Sequence, residues 1–307
     1  MSKKLLSASG SYFLRHQGLI VSRNTQFMSL VKIAVLDMNN NHANEGMRCI
    51  LHTIRNVQGS DQLADLNTEL EFDVYDVRAN NEIPDLGYDI YVSSGGPGSP
   101  MASSDAWEAN YFSLIDQIFE WNRTNERKKF VFLICHSFQL VVRHLGLGLL
   151  SRRKSMSFGI FPVHKTEEGD SEELLDGLPD PFYAVDSRDY QITEPNAERM
   201  IELGAEILCL EKIRPHVLLD RAVMSMRFSP EIIGTQFHPE ADNEGMLRYF
   251  MQPEKRNHIV SNFGQEKYDD MVAYLQDPDK IALTASVILP GFLQQAIRAL
   301  SPELIME

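Results

Sequence analysis

Three residues of the sequence have the types that nucleophilic catalysis by a thiol requires. Cys135 follows the apolar run from Phe130 to Ile134, and His238 and Glu240 lie two positions apart far downstream. A free thiol has a pKa of about 8.5, so it needs a base to become a thiolate, and the base needs an acceptor that orients it. A lone cysteine in an apolar run is more often a buried core residue, so only the three residues together indicate catalysis.

The chain around Cys135 predicts a strand, a sharp turn and a helix. Five consecutive apolar residues before the cysteine are typical of a strand covered on both faces of a parallel sheet. After it, apolar residues recur at helical spacing up to Gly146, namely Phe138, Leu140, Val141, Val142 and Leu145. Such an elbow exposes the thiol at the mouth of the sheet, beside the amide of the next residue and the N-terminus of a helix.

A glycine-rich loop forms a second expected part of the site. The apolar segment from Tyr88 to Ser93 is followed by Ser94-Gly95-Gly96-Pro97-Gly98. Free backbone amides in such a loop are suited to stabilise an oxyanion.

The Gly-Gly-Pro-Gly loop, the cysteine elbow ending in Gln139 and the His-Pro-Glu segment occur in the order found in class I, triad-type glutamine amidotransferases. The chain resembles this family over roughly residues 31–250, and in particular the amidotransferase domain of GMP synthase. The resemblance implies that Cys135 is the nucleophile, His238 the base and Glu240 the residue that orients the base. It also implies glutamine as substrate and a separate synthetase subunit that accepts ammonia, with no cofactor.

The same resemblance assigns oxyanion and substrate contacts. They are Gly95, Gly96, His136 and Gln139, followed by Ser187 and Asp189 in a β-rich insertion beside the substrate. Besides its backbone amide, His136 has a side chain next to Cys135 that can influence ionisation of the thiol. In the insertion the family has Ser-His near an Asp, where this chain has Asp186-Ser187-Arg188-Asp189. The alternative to a binding role is that Arg188 and Asp189 form a solvated surface pair.

At two elbow positions the chain departs from the family. Leu133 and Ser137 stand two before and two after the cysteine, where the family has glycine. Three other functions remain open: a homoserine O-acyltransferase-like enzyme with the same Cys-His-Glu logic, a γ-glutamyl hydrolase, and a catalytically silent amidotransferase-like binding protein.

Alternating strands and helices predict the fold class, an α/β, doubly wound, mostly parallel sheet flanked by helices, flavodoxin-like by the resemblance. We expect strands over residues 31–37, 71–77, 88–93 and 130–134, helices over 43–57 and 105–121, short strands within 151–163 and 181–192, and strands within 205–210 and 216–227. The predicted domains are an N-terminal extension (1–30), an amidotransferase domain (31–253) and a C-terminal helical extension (254–307). The first is either a loosely ordered extension or a segment that precedes the biological start at Met28.

The C-terminal extension carries two apolar helical patterns, divided at Asp277-Pro278-Asp279 and interrupted at Pro290-Gly291. Packing on the parent domain is the favoured interpretation of their apolar faces. A homo-oligomer or partner surface is the alternative.

Composition excludes several function classes. The net charge of −14 argues against a nucleic-acid surface, because binding to phosphates draws on clustered Lys and Arg. No apolar run approaches the ~20 residues of a membrane span, so no membrane partner is expected. The three widely spaced cysteines form no metal-ligand pattern, so we predict no metal site and a reducing, cytoplasmic location.

Overall fold

The computed structural model describes residues 29–61, 66–216 and 219–301. The expectations for residues 1–28 and for the last residues of the tail, 302–307, lie outside the described residues.

One half of the nine-stranded sheet is parallel. Its spatial order is β2, β1, β3, β4, β9, and every pairing among these strands is parallel. The strands are β1 Ser29–Asp37, β2 Thr68–Asp76, β3 Ile90–Ser93, β4 Phe130–Ile134 and β9 Ile232–Thr235.

The other half is antiparallel and continues from β9 in the order β8, β7, β5, β6. These strands are β5 Leu149–Lys165, β6 Phe182–Thr193, β7 Glu206–Glu211 and β8 Val223–Ser229. The strands expected within 151–163 and 181–192 are present, but their predicted short length is wrong, because β5 and β6 are long and paired. Polar residues and a register shift between Arg152 and Ser157 hide the strand pattern in the sequence of β5.

Helices cover both faces of the parallel half, as the alternation in β1 shows. Val31, Ile33 and Val35 belong to one buried cluster and Ala34 and Leu36 to another, because successive side chains of a strand point to opposite faces. Buried residues of α1 and of α9, the last described helix, belong to the first cluster. Those of α2 and α3 belong to the second. The helices are α1 Glu45–Gln58, α2 Ala106–Thr124, α3 His136–Leu145, α4 Glu167–Asp170, α5 Ala197–Leu203, α6 Asn243–Met251, α7 Pro253–Phe263, α8 Gln265–Gln276 and α9 Leu283–Leu300. The predicted fold class is confirmed.

Helix α9 is continuous, so the interruption expected at Pro290-Gly291 is wrong. A proline inside a helix removes the hydrogen bond to the carbonyl four residues earlier. Here that carbonyl belongs to Ser286, an exposed residue, so solvent can replace the lost donor. Apolar packing on the other side of the helix then holds the turn together.

The apolar face of α9 is buried within the chain. Ile288, Leu289 and Leu293 are completely buried, and the ring of Phe292 lies edge-on to that of Phe132 in β4, with centroids 5.1 Å apart. Each such side chain contributes about 1.5–3 kcal/mol by burial. The favoured interpretation, packing on the parent domain, therefore describes this face.

The segment Pro278–Leu300 is nevertheless long and apolar enough to cross a membrane by length and composition, with a mean hydropathy of 1.3. The expectation that no such run exists is corrected on this point. One face of the segment lies in the core, with 44% of this apolar stretch buried, so burial accounts for part of the apolar composition.

Helices α6 and α8 form a smaller cluster against β5 and β6. Phe250, Tyr268 and Met271 pack there with Ile160 and Val185 of the two strands. The antiparallel half of the sheet is thus fixed from the side of the C-terminal helices.

Candidate active site

Cys135 lies between β4 and α3, as the elbow prediction requires. Its backbone has φ 49° and ψ −96°, and its amide donates to the Thr235 carbonyl of β9 at 2.7 Å. A non-glycine residue in this sparsely populated region costs about 1–3 kcal/mol and persists only where the surroundings enforce it. The strain therefore marks Cys135 as a residue whose position is imposed by the fold.

His238 and Glu240 form the second part of the site, in the segment that follows β9. The Nδ1 atom of His238 is 2.8 Å from Oε1 of Glu240, whose carboxylate is buried. The His238 amide donates to the Val185 carbonyl of β6 at 2.9 Å, which fixes the imidazole beside the antiparallel half of the sheet. This contact is the one that the orienting role predicted for Glu240 requires, and the role itself stays a prediction.

Gly95 shows how closely Cys135 and His238 approach each other. A Cβ atom at Gly95 would lie 2.8 Å from Cε1 of His238 and 3.5 Å from Cβ of Cys135. Burial lowers the pKa of His238, but the Glu240 carboxylate and the hydrogen-bonded Cys135 sulfur outweigh burial and raise this pKa well above its usual value. His238 therefore holds a proton more firmly than a free imidazole does.

The glycine-rich loop is fixed against the end of β1. A Cβ atom at Gly96 would lie 2.2 Å from the Met38 carbonyl oxygen, so only glycine fits there. Arg78 binds both sides of this contact, donating through Nη1 to the carbonyls of Met38 at 3.1 Å and Pro97 at 2.6 Å. The loop therefore has one defined position beside the elbow.

Ser137 joins the elbow helix to this loop. Its Oγ atom donates to the Ser94 carbonyl at 2.6 Å and lies 2.7 Å from the Oγ of Ser93. The family glycine has no side chain for these bonds. In this chain, the peptide that leads into Gly95 is hydrogen-bonded to the first turn of α3.

The side chain of His136 is buried, and its pKa is lowered to about 3 by burial and by the nearby Arg78 and Arg143. An imidazole with so low a pKa is neutral near pH 7 and is a weak base toward the thiol. The amide of His136 is the first of α3, and the first amides of a helix have no acceptor within it. The backbone is therefore the part of His136 that is suited to hold an oxyanion.

The predicted substrate contacts have different environments. Gln139 is buried, and its Nε2 atom donates to the Tyr190 carbonyl at 3.1 Å and to Oε1 of Gln236 at 2.8 Å. The Ser187 carbonyl lies 3.9 Å from the Cys135 sulfur. The side chain of Asp189 is exposed.

The alternative of a solvated surface pair of Arg188 and Asp189 is wrong. Arg188 is buried and its Nε atom donates to both carboxylate oxygens of Asp186 at 3.0 Å. Asp186 also accepts from Ser157 at 2.7 Å. These contacts fix the register of β5 and β6 next to the site.

A cavity of about 520 Å³ opens beside His238. It lies between α1, the β6 strand and α6, and it is lined among others by Gly46, Ser187, Glu240, Tyr249 and Lys255. The volume is in the range of small-molecule sites. No sequence signal identifies the lining residues of α1 and α6, because they come from distant segments without a motif.

Among residues 29–61, 66–216 and 219–301, no group of three or more His, Cys, Asp and Glu side chains is arranged to hold a metal ion. The three cysteines are free and buried. Burial raises the pKa of the Cys49 thiol to about 12 and that of Cys209 further.

A family model matches the part of the sequence that forms this site. The model of the class-I glutamine amidotransferases matches residues 58–252, which include the glycine-rich loop, the elbow and the His238 segment. The chain belongs to this family. The resemblance to the class I family is confirmed, whereas no curated protein matches the chain significantly.

Solved structures of glutamine amidotransferases share the fold at low identity. One from Thermotoga maritima has 15% identity and a TM-score of 0.57 and covers 89% of this chain and 99% of its own. One from Methylobacillus flagellatus has 14% identity and a TM-score of 0.53, covering 92% and 99%. The glutaminase domain of Trypanosoma brucei CTPS with bound acivicin has 15% identity and a TM-score of 0.51, covering 87% and 94%.

Proposed function

We propose that the chain hydrolyses the side-chain amide of glutamine through a thioester on Cys135. One observation carries this proposal: a strained elbow cysteine, a histidine with a raised pKa and a buried carboxylate lie together in a chain of the amidotransferase family. A silent binding protein would have no need of the strain at Cys135.

In the first half of the reaction, His238 holds the proton of the Cys135 thiol and the thiolate attacks the carboxamide carbon. The amides of Gly96 and His136 bind the resulting oxyanion. The tetrahedral intermediate collapses with cleavage of the C–N bond, and His238 donates its proton to the departing ammonia. The γ-glutamyl thioester remains on Cys135.

In the second half, His238 is neutral and takes a proton from water, which attacks the thioester carbonyl. The C–S bond breaks, glutamate is released and the Cys135 sulfur leaves as thiolate. Glu240 keeps the Nδ1 side of the imidazole fixed and stabilises its charged form in both halves.

Ammonia passes to a separate synthetase in this proposal. The sequence contains no Gly-x-x-x-x-Gly-Lys-Ser/Thr nucleotide loop that would activate an acceptor within the chain. Gln139, Ser187 and Asp189 stay predicted substrate contacts, and a homo-oligomer and a cytoplasmic location stay predictions.

The test is labelling by an electrophilic glutamine analogue together with an ammonia assay. Acivicin, found in the Trypanosoma brucei glutaminase domain, is incubated with the chain and the adduct is located by mass spectrometry. We expect one adduct on Cys135, protection by glutamine, and glutamate and ammonia in equal amounts without the inhibitor. Acyl transfer to homoserine or cleavage of γ-glutamyl peptides in the absence of glutaminase activity would select one of the other two enzymes.

A further inference from the structure

Gln236 contacts the sulfur of Cys135, although no motif identified it as a site residue. Its side chain is completely buried, two positions before His238. The Nε2 atom lies 3.6 Å from Sγ of Cys135, within hydrogen-bond distance for a sulfur acceptor. A polar side chain at this depth is expected to have a defined partner, because an unpaired buried amide costs about 1–3 kcal/mol.

The orientation of this amide follows from a backbone carbonyl on β6. The Tyr190 carbonyl can only accept, so the Gln139 atom 3.1 Å from it must be the NH₂ group. The second hydrogen of that NH₂ group points to Gln236 at 2.8 Å, so the atom there must be the acceptor Oε1. The NH₂ group of Gln236 is then the end that faces the sulfur. One carbonyl thus fixes both amides.

We propose that Gln236 is a catalytic hydrogen-bond donor to the Cys135 thiolate and that Gln139 is the positioning residue that holds Gln236 in its donor orientation. The proposal rests on the proposed role of Cys135 as nucleophile. Hydrogen bonds to an ionised acceptor are about twice as strong as neutral ones, so a donor at this place stabilises the thiolate over the thiol.

The other groups around the sulfur make the donor necessary. The Ser187 carbonyl, 3.9 Å from Sγ, accepts from a thiol but repels a thiolate. His238 is the cation that faces the sulfur, with the Glu240 carboxylate behind it, while the side chain of the neighbouring His136 is neutral. When the Cys135 sulfur leaves the thioester as thiolate in the second half of the proposed reaction, Gln236 is a side-chain donor already within reach of it.

The inference also explains why Gln139 follows the cysteine by one helical turn. Its amide N–H donates to the Cys135 carbonyl at 3.0 Å, so its side chain leaves α3 directly under the elbow. Both hydrogens of its NH₂ group are used by Tyr190 and Gln236. Gln139 therefore acts on the nucleophile through Gln236.

The experiment measures the pH dependence of Cys135 alkylation by iodoacetamide, with the Cys135 peptide quantified by mass spectrometry. In the variant Gln236→Met, which keeps the chain length but has no N–H, we expect the midpoint to rise by about one pH unit. Alkylation well below the midpoint then falls about tenfold. In Gln139→Met, Gln236 is intact but its amide is free to rotate. We expect the alkylation midpoint to rise by about half a pH unit, so that alkylation well below the midpoint falls roughly threefold.

Ser225→Ala is the matched control, because it removes a buried hydrogen bond to the Gly234 carbonyl without contact to the sulfur. We expect its midpoint to equal that of the wild type. An unchanged midpoint in folded Gln236→Met overturns the proposal. If that variant does not fold, Gln139→Met decides by the same criterion.

Alkylation needs no glutamine, so the two proposals fail separately. A shifted midpoint in a chain that releases no ammonia supports the role of Gln236 and contradicts glutaminase activity. An unshifted midpoint in a chain that releases ammonia contradicts the role of Gln236 alone.

Discussion

Leu133 of β4 lies directly opposite Gly234 of β9 in the parallel register, and the missing side chain of the glycine makes room for the leucine. A Cβ atom at Gly234 would lie 3.1 Å from Cβ of Leu133 and 2.8 Å from Cδ2 of Phe138 in the elbow helix. The absent side chain of Gly234 therefore compensates for the bulk of Leu133 on the neighbouring strand. The close approach of helix and sheet at the elbow is preserved.

Gly234→Ala should lower the free energy of unfolding by about 1–3 kcal/mol through overpacking. In the double variant with Leu133→Gly the two effects should couple by at least about 0.5 kcal/mol, because the residues are in contact. Chemical denaturation measures the loss of stability in each variant and the coupling free energy between the two substitutions. Gly59→Ala, whose Cβ would be 3.6 Å from its nearest neighbour, is the control and should change stability little. Strict additivity would contradict the compensation.

Cys135→Ser should abolish glutamine hydrolysis and leave the fold intact, because it replaces the thiolate with a poor nucleophile of similar size. Ammonia release and circular dichroism test the two parts. Cys209→Ala, at a buried cysteine of β7, is the control: it should lose stability but keep activity. Ammonia release at the wild-type rate by Cys135→Ser would exclude the thioester.

His238→Ala should be nearly as damaging as loss of the cysteine, whereas Glu240→Gln should retain measurable activity. His238 takes part in every proton transfer, whereas the Glu240 carboxylate only orients the imidazole and stabilises its charged form. Steady-state kcat values of both variants decide. A larger loss in Glu240→Gln would mean that the two roles are wrongly assigned.

The raised pKa of His238 predicts activity above the usual titration range of histidine. The imidazolium that pairs with the thiolate is present below this pKa and is lost as pH rises through it, so the falling limb of activity should lie well above pH 6.5. Glu240→Gln removes the largest cause that raises the pKa, so this limb should move to lower pH. The pH profile of kcat/KM measures this shift. If the falling limb lies at the same pH in Glu240→Gln as in the wild type, a group other than His238 is responsible for it.

The purified chain should hydrolyse glutamine slowly and accelerate about a hundredfold with a synthetase partner. Alignment of one oxyanion donor is worth about that factor, and idle hydrolysis would waste glutamine. The assay compares ammonia release with and without lysate fractions, using the full chain because α9 is part of the core. Turnover near 10 per second by the chain alone, a typical enzyme rate, would contradict gating.

The elbow was predictable because its signals are local. Five apolar residues, the cysteine and the helical spacing after it define strand, turn and helix within about sixteen positions of the sequence. The roles of Ser137 and Gly234 could not be read in this way. Their effect depends on cross-strand register and on which side chain faces a loop, and neither is encoded in a single segment.

The long β5 strand and the continuous α9 helix were missed for opposite reasons. In β5, the polar segment around Arg152 is exposed and carries no alternation, so pairing to β6 decides its structure. In α9, Pro290 is a strong local signal for a break, and burial of the neighbouring Leu289 and Phe292 overrides it. Tertiary contacts determined the outcome in both cases.

The position of α9 has a consequence for synthesis of the protein. Its apolar side chains pack on strands and on α1, which leave the ribosome far earlier. Until residues 283–300 are made, the apolar surface that α9 covers beside α1 on this face of the parallel sheet stays exposed, and exposed apolar surface of this kind favours aggregation. Nascent chains that stall before this helix should therefore depend on chaperones.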